Sequence, residues 1–254
     1  MKSKNKTLKE RLRSGESVLG TWCLLPSEAV VNVIAKAGVD FVIIDMEHGA
    51  ITCKNALDMT MAVGAEGVEA IVRVSSNNES EILKVLDLGA DGVIVPHIET
   101  VEERNKALSF IKYPPLGIRG FSPYVRAGGY TPCKNYTNIQ NKRTLSGIII
   151  EGLNSISELD SIIDDPRLDL VYIGAYDISV ALGIPGQVDN LKVMKILEAS
   201  VKKIRSKKKA AGALFHSTQE LRRFKSMGIQ FLCYRVDSDI LFRAFYDAVQ
   251  KFKE

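Results

Sequence analysis

The sequence predicts an α/β protein built as a (β/α)8 TIM barrel, and three observations predict it. Short apolar segments alternate with helical patterns eight times along the chain. The residues that follow those segments are rich in acids and bases and include all 3 histidines. The length of 254 residues is also usual for one such barrel, so residues 1–254 are read as a single domain. An open doubly wound sheet is the alternative. It lacks its fingerprint, because no G-x-G-x-x-G follows the first strand and no phosphate-binding G-x-x-x-x-G-K-[ST] occurs.

The elements follow in order. An amphipathic start over Leu8 to Leu12 precedes a first strand, Ser17 to Cys23. Pro26-Ser27-Glu28 opens a helix through Val31, Ile34 and Ala35 that Gly38 closes. Phe41-Val42-Ile43-Ile44 reads as a strand buried on both faces and runs straight into Asp45-Met46-Glu47-His48-Gly49. A helix over about Cys53 to Val63 leads to the third strand, Ala70 to Val74. The next helix, Glu79 to Leu88, ends at Gly89. Gly92 to Pro96 is the fourth strand, and Val101 to Ile111 is helical.

Tyr113 to Lys142 breaks the rhythm. It is rich in Gly, Pro, Tyr and Asn and too long for a simple connection, and such segments are commonly functional or mobile. Gly147 to Glu151 is the fifth strand and Leu168 to Gly174 the sixth, which leads into Ala175-Tyr176-Asp177. After a helix over Leu191 to Lys207 come the seventh strand, Ala211 to Phe215, and the eighth, Phe231 to Arg235, each followed by a helix.

Composition excludes several functions. Apolar residues make up 46% and charged residues 25%, which is ordinary for a globular protein, and the formal net charge is only +4. The basic cluster Lys202, Lys203, Arg205, Lys207, Lys208 and Lys209 has no interleaved aromatic residues to stack bases, so it reads as a solvated face and not as a nucleic-acid site. No run approaches the roughly 18 apolar residues of a membrane span, and the basic N-terminus lacks the apolar core of a secretion signal. Cys23, Cys53, Cys133 and Cys233 form no C-x-x-C pair, which fits reduced thiols in a cytoplasm.

In a barrel the residues at the strand ends converge on one mouth. Here they are Asp45, Glu47 and His48, then Arg73, His97, Glu151, Asp177, His216 and Arg235. Glu151 and Asp177 end neighbouring strands. Two such carboxylates suit Mg²⁺ or Mn²⁺, although either one could instead cap the following helix. A zinc site on His48, His97 and His216 is the rival, without H-x-x-x-H or H-E-x-x-H spacing behind it. His48 has a pKa range suited to general-base work, with Asp45 three residues earlier to orient it. Arg73 either forks onto a carboxylate in the mouth or makes a structural ion pair, for example with Asp87. No lysine falls at a strand end, so enolisation by a metal is favoured over Schiff-base chemistry.

With these residues in view, the chain resembles the class II pyruvate aldolases of the HpcH/HpaI family from about residue 8 to about residue 250. The resemblance rests on Gly20-Thr21-Trp22, Asp45 to Gly49, Val72-Arg73-Val74, Leu83 to Ala90 and Val95-Pro96. It continues through Tyr113 to Gly120 and Ile173 to Ser179. It implies a barrel whose C-terminal helix is exchanged between subunits of a homo-oligomer, usually a hexamer built from dimers, and a 2-oxoacid substrate bound with Mg²⁺, Mn²⁺ or Co²⁺. On that pattern Glu151 and Asp177 hold the metal, and the backbone from Gly174 and Ala175 to Asp177 receives the substrate carboxylate. Arg73 stabilises the enolate, His48 moves the proton with support from Asp45, and Asp87 belongs to the surrounding network. The activity implied is carbon–carbon cleavage of a 4-hydroxy-2-oxoacid to pyruvate and an aldehyde, or the reverse.

Some positions depart from the pattern. Ile149 stands where a polar Gln is usual, and Arg235 where the strand end is usually small. His97 and His216 occupy places that are commonly apolar or small. Arg126 and Arg235 would suit a more anionic substrate, which keeps open a citrate synthase-like condensing enzyme on the same barrel. A non-catalytic carboxylate-binding barrel is the third reading. Glu47 is expected to be structural, paired with an arginine of a loop or a neighbouring subunit.

Overall fold

The computed structural model describes residues 6–254. Its strands are β1 (Val18–Cys23), β2 (Phe41–Asp45), β3 (Glu69–Arg73) and β4 (Gly92–Val95), then β5 (Leu145–Ile150), β6 (Leu170–Ile173), β7 (Ala210–Phe215) and β8 (Phe231–Val236). All neighbours pair in parallel and in chain order, and β8 returns to β1, so the barrel is closed. The helices are α1 (Leu8–Arg13), α2 (Glu28–Lys36), α3 (Cys53–Gly64), α4 (Glu79–Asp87), α5 (Val101–Ile111) and α6 (Tyr136–Arg143). They continue with α7 (Leu153–Ser157), α8 (Leu159–Ile162), α9 (Ala175–Ala181), α10 (Leu191–Ser206), α11 (Thr218–Met227) and α12 (Asp237–Lys253).

Side chains alternate across each strand, and that period of two sorts the core into two layers. Phe41, Ile43, Ile71, Ile94, Leu145, Ile149, Leu170, Tyr172, Phe231 and Cys233 fill the barrel interior. Val42, Ile44, Val72, Val93, Ile148, Val171 and Ala211 face the helices. The same alternation continues Phe41 and Ile43 to Asp45, Ile71 to Arg73, and Ile149 to Glu151, so the polar residues form the last inward layer. The helices after β1, β2, β3, β4 and β7 begin on Ser27, Thr52, Asn78, Thr100 and Ser217, whose side chains accept a backbone N–H of the first turn.

The strand and helix limits lie within a residue or two of the predicted ones. The helices α6, α7, α8 and α9 are the exception, since the sequence reading assigned no helix to α6 inside the irregular segment or to the stretches that follow β5 and β6. Tyr113 to Lys142 lies at the end of the barrel where the strands begin, opposite the carboxyl-terminal mouth. It contains a 3₁₀ turn at Arg126–Gly128 as well as α6, and the Arg126 guanidinium donates to the carbonyl of Leu88 at 3.0 Å. A segment joining a helix to the next strand must lie at that end.

At the strand-start end α1 plugs the barrel. Leu8 and Leu12 enter the interior cluster, and an ionic layer rings them. Asp169 receives Lys9 Nζ and Arg13 Nη2, each at 2.9 Å, and the backbone N–H of Ser146 at 3.0 Å. Lys9 and Lys112 both donate to the carbonyl of Thr144, at 3.1 and 2.8 Å. Burial pushes the Lys112 amine down to about 7. Asp169→Ala is expected to destabilise the fold by about 3–5 kcal/mol, because it strands a buried lysine beside a half-neutral neighbour. Urea unfolding checks this, and a loss under about 1 kcal/mol would show that the ring is incidental.

Candidate active site

A cavity of about 330 Å³ opens at the carboxyl ends of the strands. Trp22, Asp45, His48, Arg73, Glu151, Gly174, Ala175, Asp177 and His216 are among the residues that line it. A larger cavity of about 850 Å³ lies at the opposite end, among Glu69, Asp91, Arg126 and Arg143. Parallel barrels carry out chemistry at the strand ends, and the histidine and the paired carboxylates are in the smaller cavity, so the smaller one is the candidate.

Arg73 and Asp45 are register partners on β3 and β2. The guanidinium forks onto the carboxylate, with Nε donating to Oδ1 at 2.8 Å and Nη2 to Oδ2. Nη1 reaches Glu47 Oε2 at 2.7 Å, and the guanidinium carbon lies 4.5 Å from the Trp22 ring centroid. Trp22 Nε1 in turn donates to the Tyr172 hydroxyl at 2.9 Å. Arg73 is therefore held on two sides by acids and on its face by an aromatic ring, and its remaining N–H bonds are left for a substrate oxygen.

This geometry corrects three readings of the sequence. Asp45 does not reach the His48 ring. Its Oδ1 accepts the backbone N–H of Glu47 at 3.0 Å and of His48 at 3.2 Å, so it shapes the turn that carries the histidine. Glu47 pairs with Arg73 of the neighbouring strand β3 in its own barrel and not with a loop or subunit arginine. Arg73 is not paired with Asp87. That carboxylate lies at the end of α4, outside the cavity, and takes Arg119 Nη2 at 2.7 Å.

His48 is exposed at the rim, and among the described residues its ring has no hydrogen-bond partner. Glu151 is 6% exposed. Its Oε1 accepts the backbone N–H of His97 at 2.7 Å and faces Nδ1 of the same residue at 2.9 Å. Burial raises the Glu151 pKa above its ordinary value, and the charges of Asp177 and Glu47 add to the rise. Asp177 stands in the first turn of α9, exposed to the cavity. Gly174 precedes it, where an added Cβ would come within 2.8 Å of the Glu151 Cβ, so only glycine lets this turn sit against the carboxylate.

A divalent cation fits this donor set. One buried and one exposed carboxylate line the same cavity, the charge of Asp177 adds to the cost of charging Glu151, and both are hard oxygen donors. Among the described residues no group of three or more His, Cys, Asp or Glu side chains could hold a metal ion, so the three-histidine zinc alternative finds no support. His97 and His216 each have protein partners: the His97 ring lies between Glu151 and Glu47. His216 Nδ1 lies 3.3 Å from Glu220 Oε2, which places the proton there and leaves Nε2 to accept from the Tyr176 hydroxyl at 3.2 Å.

Arg235 does not line the cavity. Gly20 pairs with Cys233 but Trp22 pairs with Val236, so β8 carries one extra residue between these points. Arg235 takes up that slack with φ of 49°, and Val236 enters the cavity in its place. The Arg235 guanidinium is held by Asp239 at 2.5 Å. Arg126 is at the other end of the barrel. Of the residues that suggested a more anionic substrate, Arg126 is thus at the opposite end and Arg235 is beside the cavity without lining it. Sequence reading left Trp22, Tyr172 and the His97 bridge without a role. The single tryptophan at the end of β1 was the available signal for the first pair.

A sequence model of the HpcH/HpaI aldolase/citrate lyase family matches residues 19–244. A pyruvate aldolase of Rhizobium etli is 32% identical over 92% of this chain and 92% of its own length. A 2-keto-3-deoxy-L-rhamnonate aldolase of Escherichia coli is 30% identical over 96% of this chain and 92% of its own. The crystal structure of the citrate synthase SbnG superposes with a TM-score of 0.90 at 29% identity, covering 97% of each chain.

Proposed function

This chain belongs to the HpcH/HpaI aldolase/citrate lyase family, and on that premise we propose that it is a class II carbon–carbon lyase. It cleaves a 4-hydroxy-2-oxoacid to pyruvate and an aldehyde, or forms the bond in reverse. The observation that carries this reading is the convergence of Arg73, His48, Glu151 and Asp177 on one cavity wall at the strand ends.

The substrate carboxylate is received where the turn at Gly174 opens α9, by the backbone N–H groups of Ala175 and Asp177 in its first turn. The Gly174 N–H itself donates to the carbonyl of Ile150 at 3.0 Å. Arg73, already braced by Asp45 and Glu47, directs its remaining N–H bonds at the 2-oxo oxygen. Negative charge builds on that oxygen as the C3–C4 bond breaks, and a donor fixed in advance needs no reorganisation at that moment. His48 accepts the proton of the 4-hydroxyl as the aldehyde forms. It is free to do so because its ring is otherwise unengaged. His48 then returns this proton to C3 of the enolate, which gives pyruvate and restores the ring as a base. A divalent cation such as Mg²⁺, Mn²⁺ or Co²⁺, held by Glu151 and Asp177, would polarise the 2-oxo group as a Lewis acid. Asp87, paired with Arg119, belongs in this scheme only as an outer support.

The chain is also proposed to act as a homo-oligomer. One face of α12 leaves Leu241, Phe242, Phe245, Tyr246 and Val249 exposed, and with Leu25 they line an apolar groove. A second copy offers the matching helix, as the exchanged helix of the family resemblance implies. Among the described residues no helix is long and apolar enough to cross a membrane.

The test is exchange of the pyruvate methyl protons in deuterium oxide, followed by NMR. Exchange is expected to depend on added Mn²⁺, and a rate unchanged by the metal would count against the assignment. Sedimentation of the same sample is expected to show more than a monomer at micromolar concentration, and a monomer there would remove the second-copy reading. The condensing alternative predicts citrate from oxaloacetate and acetyl-CoA, and neither of the two arginines from which it was argued lines the cavity.

A further inference from the structure

His97 is the residue whose position the reaction above does not use. β4 ends at Val95, Pro96 follows, and His97 then takes up the left-handed backbone with φ of 54°. That conformation is uncommon for a residue with a side chain, and histidine is among the types that tolerate it best. Its result is that one residue reaches Glu151 twice. The backbone N–H donates to Oε1 at 2.7 Å, and the ring Nδ1 lies 2.9 Å from the same oxygen. The far edge of the ring, Nε2, is 2.7 Å from Glu47 Oε1. Glu47 Oε2 in turn holds Arg73 Nη1 at 2.7 Å, and Arg73 forks onto Asp45.

A continuous ladder therefore runs across the mouth from β2 and β3 to β5, and His97 is its middle rung. We propose that His97 is a positioning residue. It ties the arginine that faces the substrate oxygen to the carboxylate that faces the cation, and fixes both at one spacing. With Oε1 committed to His97, the other oxygen, Oε2, is the one left for a cation. Among the described residues no hydrogen bond reaches Oε2, and it lies beside Gly174, from which the turn carrying Asp177 departs. The ring is 65% exposed, so it does not fill the core, and its contacts are polar ones to these two acids. The inference rests on the reading that Glu151 holds a metal, and it adds which oxygen does so and what aims it.

The test uses His97→Gly, which removes the ring and relaxes the left-handed backbone, so the fold is expected to keep or raise its thermal midpoint. Mn²⁺ binding is measured without substrate, by the spin-resonance signal of the free ion, in wild type, His97→Gly and Glu151→Ala. Partners that orient metal ligands are typically worth about 10–100-fold in affinity, so His97→Gly is expected to weaken Mn²⁺ at least about tenfold. Added imidazole, with open access to the vacated place, is expected to restore several-fold of that loss in His97→Gly and none in Glu151→Ala. In the pyruvate exchange assay the same variant is expected to lose kcat more than it raises KM, because Arg73 is displaced as well.

Mn²⁺ affinity within twofold of wild type in His97→Gly, with Glu151→Ala having lost it, overturns the proposal. So does a loss in His97→Gly that imidazole leaves unchanged. Equal Mn²⁺ binding by wild type and Glu151→Ala overturns the metal assignment beneath it.

Discussion

Glu151→Gln is expected to lower the rate of pyruvate proton exchange about 10³-fold while leaving the barrel as stable as before or slightly more so. The activity loss follows from charge. The amide keeps the size of the side chain and an acceptor for the His97 N–H, but removes one of two anionic donors in a cavity that has few others. Lewis-acid stabilisation of the developing oxyanion supplies several kcal/mol, and about 4 kcal/mol corresponds to three powers of ten in rate. The stability result has the opposite sign. Burial, Asp177 and Glu47 raise the Glu151 pKa in the folded state, so the folded protein binds this proton more readily than the unfolded chain does. Stability from this group is then present at low pH and falls as pH rises past the ordinary carboxylate range. A neutral glutamine has no such fall. The midpoint of thermal unfolding at pH 5 and pH 8, measured beside the exchange rate, checks both halves. A variant that exchanges within tenfold of wild type would sink the metal role of Glu151.

Arg73→Lys is expected to lower the same rate by about 10²–10³-fold although the charge is kept. A lysine ammonium cannot fork onto Asp45 and still reach Glu47 Oε2, and it cannot lie flat on Trp22, so the group loses its fixed direction. The donor acts on charge that exists only as the bond breaks. The loss should therefore appear in kcat, with KM for pyruvate changed little. Steady-state exchange over a range of pyruvate concentrations measures the split. A pure KM effect would mean that Arg73 only binds the substrate.

Much of the barrel and the core of its site could be read from the chain. Phe41-x-Ile43-x-Asp45 and Ile71-x-Arg73 share the period of two that places both charged ends inside, and neighbouring parallel strands then bring them together. What could not be read were the places where the backbone leaves its period. The extra residue in β8 turns Arg235 outward, and the left-handed turn at His97 sends its N–H and its ring to the same acid. Neither leaves a mark in hydrophobic spacing. Short helices such as α8 (Leu159–Ile162) are too brief for a helical period to show. Asp87 looked available to Arg73 along the chain, and was claimed by Arg119 from a segment with no regular pattern.

The plug at the strand-start end has a consequence for how the chain is made. Leu8 and Leu12 belong to α1, yet the side chain of Gln230, which donates to the carbonyl of Leu12, lies 218 positions later. Translation at about 5–20 residues per second separates the two by roughly ten to forty seconds. During that interval α1 has no barrel to close, and contacts of such long range are slow to form even once both ends exist. Helix α1 is thus made well before the last strand of the barrel it plugs, and its place is complete only when β8 arrives.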